Sequence, residues 1–463
     1  MTQVDQEKSL ESNKPLELNK PLELAIEIPA PGEAGWQQAQ ANLQPVDVAD
    51  QLTALLSAEE IVTCLDLLPL IRRTEIFDYL PEGTQEEVAA VCDLEFLMAL
   101  LEELPADSAA DLFNLLTSEQ QADLLRDLPA RNRATLQHLS RYPDGTAGAL
   151  MTSEISLLPT GINVQRALDI LRRTAVGSET IYHTYIVDPR HRLVGVVSLR
   201  ELILAAPHAS LDQLMTEELV TILPDKHQQE VVRLVSRYDL LALPVVDENQ
   251  RLLGIITYDD AMDVAEEEDT EDIHLSASIA PLEEGLLRTS LFNLYRSRVM
   301  WLILLIFANL VSGVGIAFFE DTISAKVALV FFLPLLIGSG GNAGAQASTL
   351  MVRGLAVGDV GLGDWTRLLG RELLVAGALG LTMAVAVSPI GMFRGGADIA
   401  LVVGISMVVI VLFGSLLGMS LPFLLHSLKW DPATASTPLV TTLADAGGVI
   451  TYFALATWML GLH

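Results

Sequence analysis

The C-terminal third of the chain contains four long stretches that lack any charged side chain. About 20 apolar residues in a helix are enough to cross the ~30 Å hydrocarbon layer of a bilayer. A fifth apolar stretch carries one charge, Asp445. The sequence therefore predicts a five-helix transmembrane domain over residues 296–463, embedded in a lipid bilayer. The five stretches are 299–319, 327–350, 373–392, 399–425 and 437–462.

The distribution of Lys and Arg predicts how these spans are oriented. Five spans place the two chain ends on opposite sides, and basic residues favour the cytoplasmic side. Six basic residues lie on the side of the N-terminal half, and two lie on the other. We therefore expect a cell-membrane protein with a cytoplasmic N-terminal half and its C-terminus outside. The two groups are Arg296, Arg298, Arg353, Arg367, Arg371 and Lys429, and Lys326 and Arg394.

The part of the chain before Tyr295 is strongly acidic. The formal net charge is −31, and from Tyr295 onward 8 basic residues balance 8 acidic ones. Such a field repels nucleic acid and attracts cations. We therefore expect divalent cations as partners and no nucleic acid. Cys64 and Cys92, without a secretory signal, predict a reducing compartment.

The acidic half begins with a repetitive tail, which is followed by a helical region. Residues 1–30 repeat the segment Asn-Lys-Pro-Leu-Glu-Leu and predict a disordered tail. Residues 31–141 have helical periodicity, and Leu-Pro pairs recur at 68–69, 80–81, 104–105 and 128–129. Because proline favours the first turn of a helix, this recurrence predicts an all-α superhelix of stacked helical hairpins.

An internal repeat follows the helical region. Leu150-Met151-Thr152 recurs as Leu214-Met215-Thr216, and each copy leads to a helix and two short apolar runs. The pattern predicts two α/β domains of βαββα order, 142–207 and 208–265. An acidic connecting helix is expected over 266–295, with a break near Pro281.

Asp445 is the most informative residue of the apolar half. An acid at bilayer depth costs roughly 3 kcal/mol and usually marks an ion pathway or a catalytic site. An aspartyl protease needs two interior acids, and a metallohydrolase needs several His or acid ligands. With Thr441 and Thr442 one turn earlier, a cation path is favoured and no enzyme is expected. The polar second span predicts tight packing, pore lining or both.

The two repeat copies resemble tandem CBS domains. The resemblance implies that Ser198 with Glu201, and Thr257 with Asp260, contact ATP or another adenine nucleotide. A copy that keeps the fold and has lost the ligand is the alternative.

The whole order of domains resembles the MgtE family of Mg²⁺ channel-transporters. The motifs are Pro334-Leu-Leu-Ile-Gly-Ser-Gly-Gly-Asn-Ala-Gly-Ala-Gln346 and the run from Asp431 through Thr441-Thr-Leu-Ala-Asp445. The resemblance implies a homodimer with the pore on its two-fold axis and Mg²⁺ as the ion. It also implies pore residues Asp445, Thr441, Thr442, Asn342 and, at the cytoplasmic end, Asp431.

The acidic half then suggests how the pore is controlled. Clustered carboxylates repel one another until cytoplasmic Mg²⁺ bridges them, draws the domains together and closes the pore, because binding to one state shifts the population toward that state. The sequence has no ATPase motif, so Mg²⁺ is expected to enter the cytoplasm down its electrochemical gradient. Mn²⁺ or Co²⁺ transport, a non-transporting membrane-anchored sensor, and a metal exporter or exchanger are the alternatives. The candidate regulatory residues are Asp107, Asp111, Asp247, Asp259, Asp260, Asp263, Glu266 and Glu267.

Overall fold

A computed structural model describes residues 43–175, 178–282 and 289–462. The predicted tail 1–30 and the 283–288 part of the connecting region lie outside these residues. The described chain divides into two compact units. One comprises residues 43–104 with 112–133, and the other comprises 105–111 with 134–462.

The chain from 43 to 141, described without a gap, forms eight short helices, as the Leu-Pro pattern predicts. Pro69 and Pro81 each stand immediately before a helix, at its N-cap. Within the first unit, most helices pack on the helix two places along the chain, which is the arrangement of a superhelix. The helices are α1 (Pro45–Leu55), α2 (Ala58–Asp66), α3 (Leu70–Asp78), α4 (Glu82–Val91), α5 (Leu94–Glu103), α6 (Ala106–Leu115), α7 (Ser118–Asp127) and α8 (Ala130–Leu139).

The two α/β copies follow in the second unit. In the first copy, β1 pairs parallel with β2, which pairs antiparallel with β3; in the second copy, β4 and β5 form an antiparallel pair. The elements are β1 (Ile155–Pro159), α9 (Val164–Thr174), β2 (Thr180–Val187), β3 (Leu193–Ser198), α10 (Leu199–Leu204), α11 (Leu211–Leu214), α12 (Gln228–Tyr238), β4 (Ala242–Val246) and β5 (Leu252–Thr257).

The repeated Leu-Met-Thr motif joins the two copies. Thr152, near the start of the first copy, bridges to Ile255 of β5, and Thr216, near the start of the second, bridges to Val196 of β3. A Cβ on Gly254 would lie 2.7 Å from the carbonyl oxygen of Thr152. Each motif therefore packs on the strand pair of the other copy, and the glycine there allows the close approach.

The connecting helix α13 (Tyr258–Ser276) begins directly after β5. It starts and ends earlier than the predicted region 266–295, and it stops five residues before Pro281. The predicted break near Pro281 thus corresponds to the end of the helix.

The apolar part contains α14 (Leu291–Phe318), α15 (Glu320–Ala325), α16 (Leu333–Ala356), α17 (Trp365–Ser427) and α18 (Thr437–Leu460). By length and composition, four helices of the described chain could cross a membrane, and not the predicted five. The difference lies in α17. Its 63 residues would span about 95 Å if straight. The backbone instead leaves the helical region at Gly396, where φ is 77° and ψ is −173°.

The two halves of α17 pack side by side in opposite directions. A Cβ on Gly391 would lie 2.8 Å from Cα of Ala400, and one on Gly380 would lie 2.9 Å from Cα of Val408. Gly396 adopts a positive φ that only glycine reaches without strain, so it allows the reversal. The predicted stretches 373–392 and 399–425 are therefore the two arms of a helical hairpin.

Glycines also bring α16 against the second arm of α17. A Cβ on Gly414 would overlap the carbonyl oxygen of Gly340, and one on Gly418 would overlap that of Gly344. Both pairs have the four-residue spacing that lets membrane helices approach closely. The small residues of the predicted second span therefore do serve tight packing.

Candidate cation path and acidic regulatory clusters

Asp445 lies on α18 against the backbone of α16. It is partly buried, and a Cβ on Gly341 would lie 3.4 Å from its Oδ1. The same Cβ would lie 3.4 Å from Cγ2 of Thr441. Both distances are ordinary van der Waals contacts. The structure therefore brings Asp445 and Thr441 together against the same glycine of α16.

The two threonines before Asp445 differ in position. Thr441 Oγ1 and Thr442 Oγ1 both donate hydrogen bonds to the carbonyl oxygen of Pro438, at 3.0 and 2.8 Å. Thr441 is partly exposed, whereas Thr442 is buried in the protein. Of the two, Thr441 is the one that lies with Asp445 beside Gly341.

Asn342 belongs to a polar face of α16. Its side chain is exposed in the single chain, as are those of Gln346 and Thr349. Residues four and three apart lie one above another on a helix, so the three amide and hydroxyl groups form one line. The sequence analysis selected only Asn342 as a site residue. Gln346 and Thr349 follow Asn342 at helical spacing, and this pattern in the sequence predicts that they lie on the same face.

Asp431 lies just before α18, and its Oδ1 accepts a hydrogen bond from the Ala433 amide at 2.7 Å. The connecting helix reaches this acid. Burial and the negative charges of Asp431, Glu268, Asp269 and Glu271 together raise the pKa of Asp272 to about 6. Burial, Glu268 and Asp431 likewise raise the pKa of Glu271. Four of these acids lie on α13 beyond Glu267 and were not among the regulatory residues predicted from the sequence. They are Glu268, Asp269, Glu271 and Asp272.

A second acidic cluster lies around Asp107 of α6. Burial raises the pKa of Asp107 well above its usual value, and the charges of Asp260, Glu179 and Asp111 add to the effect. Its Oδ1 is shielded from solvent and has no hydrogen-bond partner among the described residues. The structure thus brings together Asp107, Asp111 and Asp260, which were predicted, and Glu179, which was not.

Asp260 and its neighbours on α13 extend this cluster. Burial raises the pKa of Asp260, helped by Asp259 and Asp263, although hydrogen bonds from Thr257 oppose the shift. The pKa of Asp263 is raised by burial and by the charges of Asp259 and Glu266. Glu267 lies on the same helix.

Asp247 has a different environment. Its Oδ1 accepts hydrogen bonds from the amides of Asn249 and Arg251, both at 2.8 Å, in the turn between β4 and β5. These bonds lower the pKa of Asp247. Asp188 makes the same bonds in the first copy. The structure therefore holds Asp247 in a turn and does not place it in either acidic cluster.

The predicted nucleotide residues form matching helix caps in the two copies. Ser198 Oγ donates to Glu201 Oε2 at 2.7 Å, and the Ser198 amide donates to the same oxygen at 2.8 Å. Thr257 Oγ1 donates to Asp260 Oδ2 at 2.5 Å. Both pairs are capping boxes that start a helix after a strand.

Within residues 43–175, 178–282 and 289–462, no group of three or more His, Cys, Asp or Glu side chains is arranged to hold a metal ion. The acidic clusters bring carboxylates close enough to interact electrostatically without forming such a ligand set.

Three family models cover most of the chain. The divalent cation transporter family MgtE matches residues 333–455, the MgtE intracellular N domain matches 43–145, and the CBS domain matches 147–208 and 211–267.

Several curated relatives are similar over nearly their full length. "Magnesium transporter MgtE" of Thermus thermophilus is 40% identical over 408 residues, 88% of this chain and 91% of the relative. The Bacillus subtilis protein of that name is 35% identical over 403 residues, 84% and 89% of the two chains. A crystal structure described as the cytosolic domain of the Mg²⁺ channel MgtE in complex with ATP is 37% identical, with a TM-score of 0.47 over 50% of this chain and 93% of that one. The chain belongs to the MgtE family of magnesium transporters.

Proposed function

We propose that two copies of this chain form a channel through which Mg²⁺ enters the cytoplasm down its electrochemical gradient, and that cytoplasmic Mg²⁺ closes it. The polar face of α16 carries the proposal. Asn342, Gln346 and Thr349 are exposed along one line of α16, in the part of that helix that carries no charged side chain. Polar groups at bilayer depth need water or a protein partner. A second subunit across a water-filled path supplies both.

A two-fold axis near this face would pair the two Asp445 carboxylates. Mg²⁺ prefers oxygen ligands in an octahedron and gives up its water reluctantly. Two carboxylates could hold the hydrated ion through its water shell, with Thr441 hydroxyls and main-chain oxygens beside them. Asn342 completes the side chains that we assign to the path, and Asp431 marks its cytoplasmic end. The buried Thr442, which the sequence pattern included, lies behind this surface. Mn²⁺ and Co²⁺ are the competing ions to test against Mg²⁺.

The hairpin of α17 supports five crossings. If each arm crosses the bilayer once, the membrane domain has five crossings. Six of the eight Lys and Arg residues from Tyr295 onward then lie on the cytoplasmic side. The C-terminus is then outside. An inside-negative potential drives a divalent ion inward with about 2.3 kcal/mol per charge per 100 mV.

The two acidic clusters support closure by Mg²⁺. Each contains carboxylates whose pKa is raised by burial and by neighbouring negative charge, so their close approach is unfavourable while they are ionised. A divalent cation between them removes that repulsion. Cation binding at Asp107 with Asp260 would hold α6 against α13, and binding at Asp272 with Asp431 would hold α13 against the pore entrance.

We also propose an adenine nucleotide, ATP first, as a regulator of the CBS pair. The pair of Ser198 and Glu201 stands at the start of α10, where a hydroxyl and a carboxylate suit a ribose or phosphate. Isothermal titration of ATP into the wild type and a Ser198→Ala, Glu201→Gln double variant tests this assignment. Unchanged affinity in the double variant would remove these residues from the nucleotide site.

Mg²⁺ uptake into oriented proteoliposomes tests the main proposal. Wild type should take up Mg²⁺ and stop as Mg²⁺ rises on the cytoplasmic face. Asp445→Asn should abolish uptake, whereas Asp398→Asn, which changes an exposed acid of the membrane half, should not. Uptake by Asp445→Asn at the wild-type rate would remove Asp445 from the path. If the uptake rate of the wild type does not change as Mg²⁺ rises on the cytoplasmic face, the proposed closure is refuted.

A further inference from the structure

The end of α13 is built around a serine in an unfavourable backbone conformation. Ser278 has a φ of 58°, the left-handed region that normally favours glycine or asparagine. The Ser278 amide donates to the Leu275 carbonyl oxygen at 2.9 Å, and the Ile279 amide donates to that of His274 at 2.9 Å. This is the Schellman ending of a helix, in which glycine is the usual residue at the position of Ser278. A serine at such a position is expected to make an interaction that glycine cannot make.

The Ser278 hydroxyl provides one. Its Oγ lies 2.6 Å from Oγ of Ser436, and both residues are buried, at 6% and 1% exposed. Ser436 is the N-cap of α18, and its Oγ also accepts from the Leu439 amide at 3.4 Å. The residue that terminates the connecting helix is therefore hydrogen-bonded to the N-cap of the helix that carries Asp445.

Two neighbouring contacts make this point a junction of several elements. The carbonyl oxygen of Ala435 accepts a hydrogen bond from Ser348 Oγ of α16 at 2.9 Å. The Ala280 amide donates to the carbonyl oxygen of Ser297 on α14 at 3.1 Å. A movement of α13 must thus reach the starts of α14 and α18 and the cytoplasmic end of α16.

We propose that the Ser278–Ser436 hydroxyl pair is the positioning contact through which α13 sets the axial position of α18, and with it the carboxylate of Asp445. Asp445 lies nine residues beyond Ser436, about 14 Å along a rigid helix, so a shift at the cap is carried to the ion path. This inference rests on the proposed closure by Mg²⁺ and names the residues that transmit it.

Ser278→Gly separates this role from a merely structural one. Glycine suits the left-handed position at least as well as serine, so the helix end should remain and the protein should be no less stable. Only the hydroxyl is lost. Uptake with Mg²⁺-free cytoplasmic solution should match wild type. The Mg²⁺ concentration for half-inhibition should rise roughly three- to tenfold, the range expected for one buried hydrogen bond.

The matched control is Ser276→Ala, because the Ser276 hydroxyl bonds only to the Ile273 carbonyl oxygen of its own helix in the described contacts. It should leave half-inhibition unchanged. Ser436→Thr, which keeps a capping hydroxyl, should retain inhibition, and adding Ser436→Ala to Ser278→Gly should not raise half-inhibition further.

The outcomes separate the two proposals. If wild type is not inhibited by cytoplasmic Mg²⁺, the proposed closure fails and this inference falls with it. If wild type is inhibited and Ser278→Gly has the wild-type half-inhibition, the closure stands and the hydroxyl pair is not its transmitting contact. Equal shifts in Ser278→Gly and Ser276→Ala would also overturn the inference.

Discussion

Replacing Asp272 by asparagine should make the connecting helix dock without Mg²⁺. Burial and the charges of Asp431 and three acids of α13 raise the pKa of Asp272 from 3.8 to about 6. A rise of about 2 in pKa corresponds to about 3 kcal/mol. Because the side chain is only partly buried, solvent screening reduces this to roughly 1 kcal/mol. This cost of burying the carboxylate beside other negative charges opposes docking at pH 7, and asparagine removes it.

The expected change is about a fivefold shift toward the docked arrangement. In proteoliposomes with Mg²⁺-free cytoplasmic solution, Asp272→Asn should therefore take up Mg²⁺ more slowly than wild type. Its inhibition curve should also be flatter, because a carboxylate that could bind the inhibiting ion is gone. Glu218→Gln makes the same charge change at an exposed site and should behave as wild type.

The raised pKa of Asp272 also predicts how Mg²⁺ uptake depends on pH. A carboxyl whose pKa is raised in the docked arrangement favours docking when it is protonated and opposes docking when it is ionised. Wild-type uptake at zero cytoplasmic Mg²⁺ should thus fall as the cytoplasmic pH drops through about 6, and Asp272→Asn should lose much of that dependence. If Asp272→Asn takes up Mg²⁺ at the wild-type rate and has the same pH profile as wild type, the electrostatic argument is refuted.

Three further changes test the membrane domain. Asp445→Asn should abolish uptake while expression and dimer size are retained; an active variant contradicts the assigned path. Gly414→Ala should lower the stability of the purified protein to heat by about 1–3 kcal/mol, because the added Cβ would overlap main-chain atoms of Gly340. Gly377→Ala is its control and should be nearly neutral, because its Cβ would meet only Leu412 Cδ2, at 4.0 Å. Tyr452→Phe should cost about 1 kcal/mol in the same assay, since the buried hydroxyl donates to the Leu329 carbonyl oxygen at 2.9 Å; an unchanged melting temperature would show that this bond adds nothing.

Local sequence patterns predicted most of the elements. Leu-Pro pairs give the starts of α3 and α4, and the repeated Leu-Met-Thr segments give the two α/β copies. The reversal at Gly396 was harder, because an uncharged stretch reveals a span but not whether a turn between spans remains helical. Residues 393–398 read as a loop, whereas the structure keeps helical geometry on both sides of one glycine.

The acidic residues show where sequence reasoning stops. The run on α13 predicts a charged helix, but only the fold reveals that Asp272 faces Asp431 and that Asp260 faces Asp107. Asp247 was chosen because it is acidic and close to that run. Its counterpart Asp188 occupies the same register in the first copy and makes the same turn. That equivalence was visible in the sequence and indicated a structural role.

The exchange of Leu-Met-Thr segments between the two copies has a consequence for cooperativity. The Leu-Met-Thr segment near the start of each copy covers a glycine in the strand pair of the other, so neither copy buries its own sheet completely. Excising one copy would uncover the other, and the two should unfold in a single transition. A ligand that stabilises one copy must therefore stabilise its neighbour, so the pair responds as one thermodynamic unit to whatever it binds.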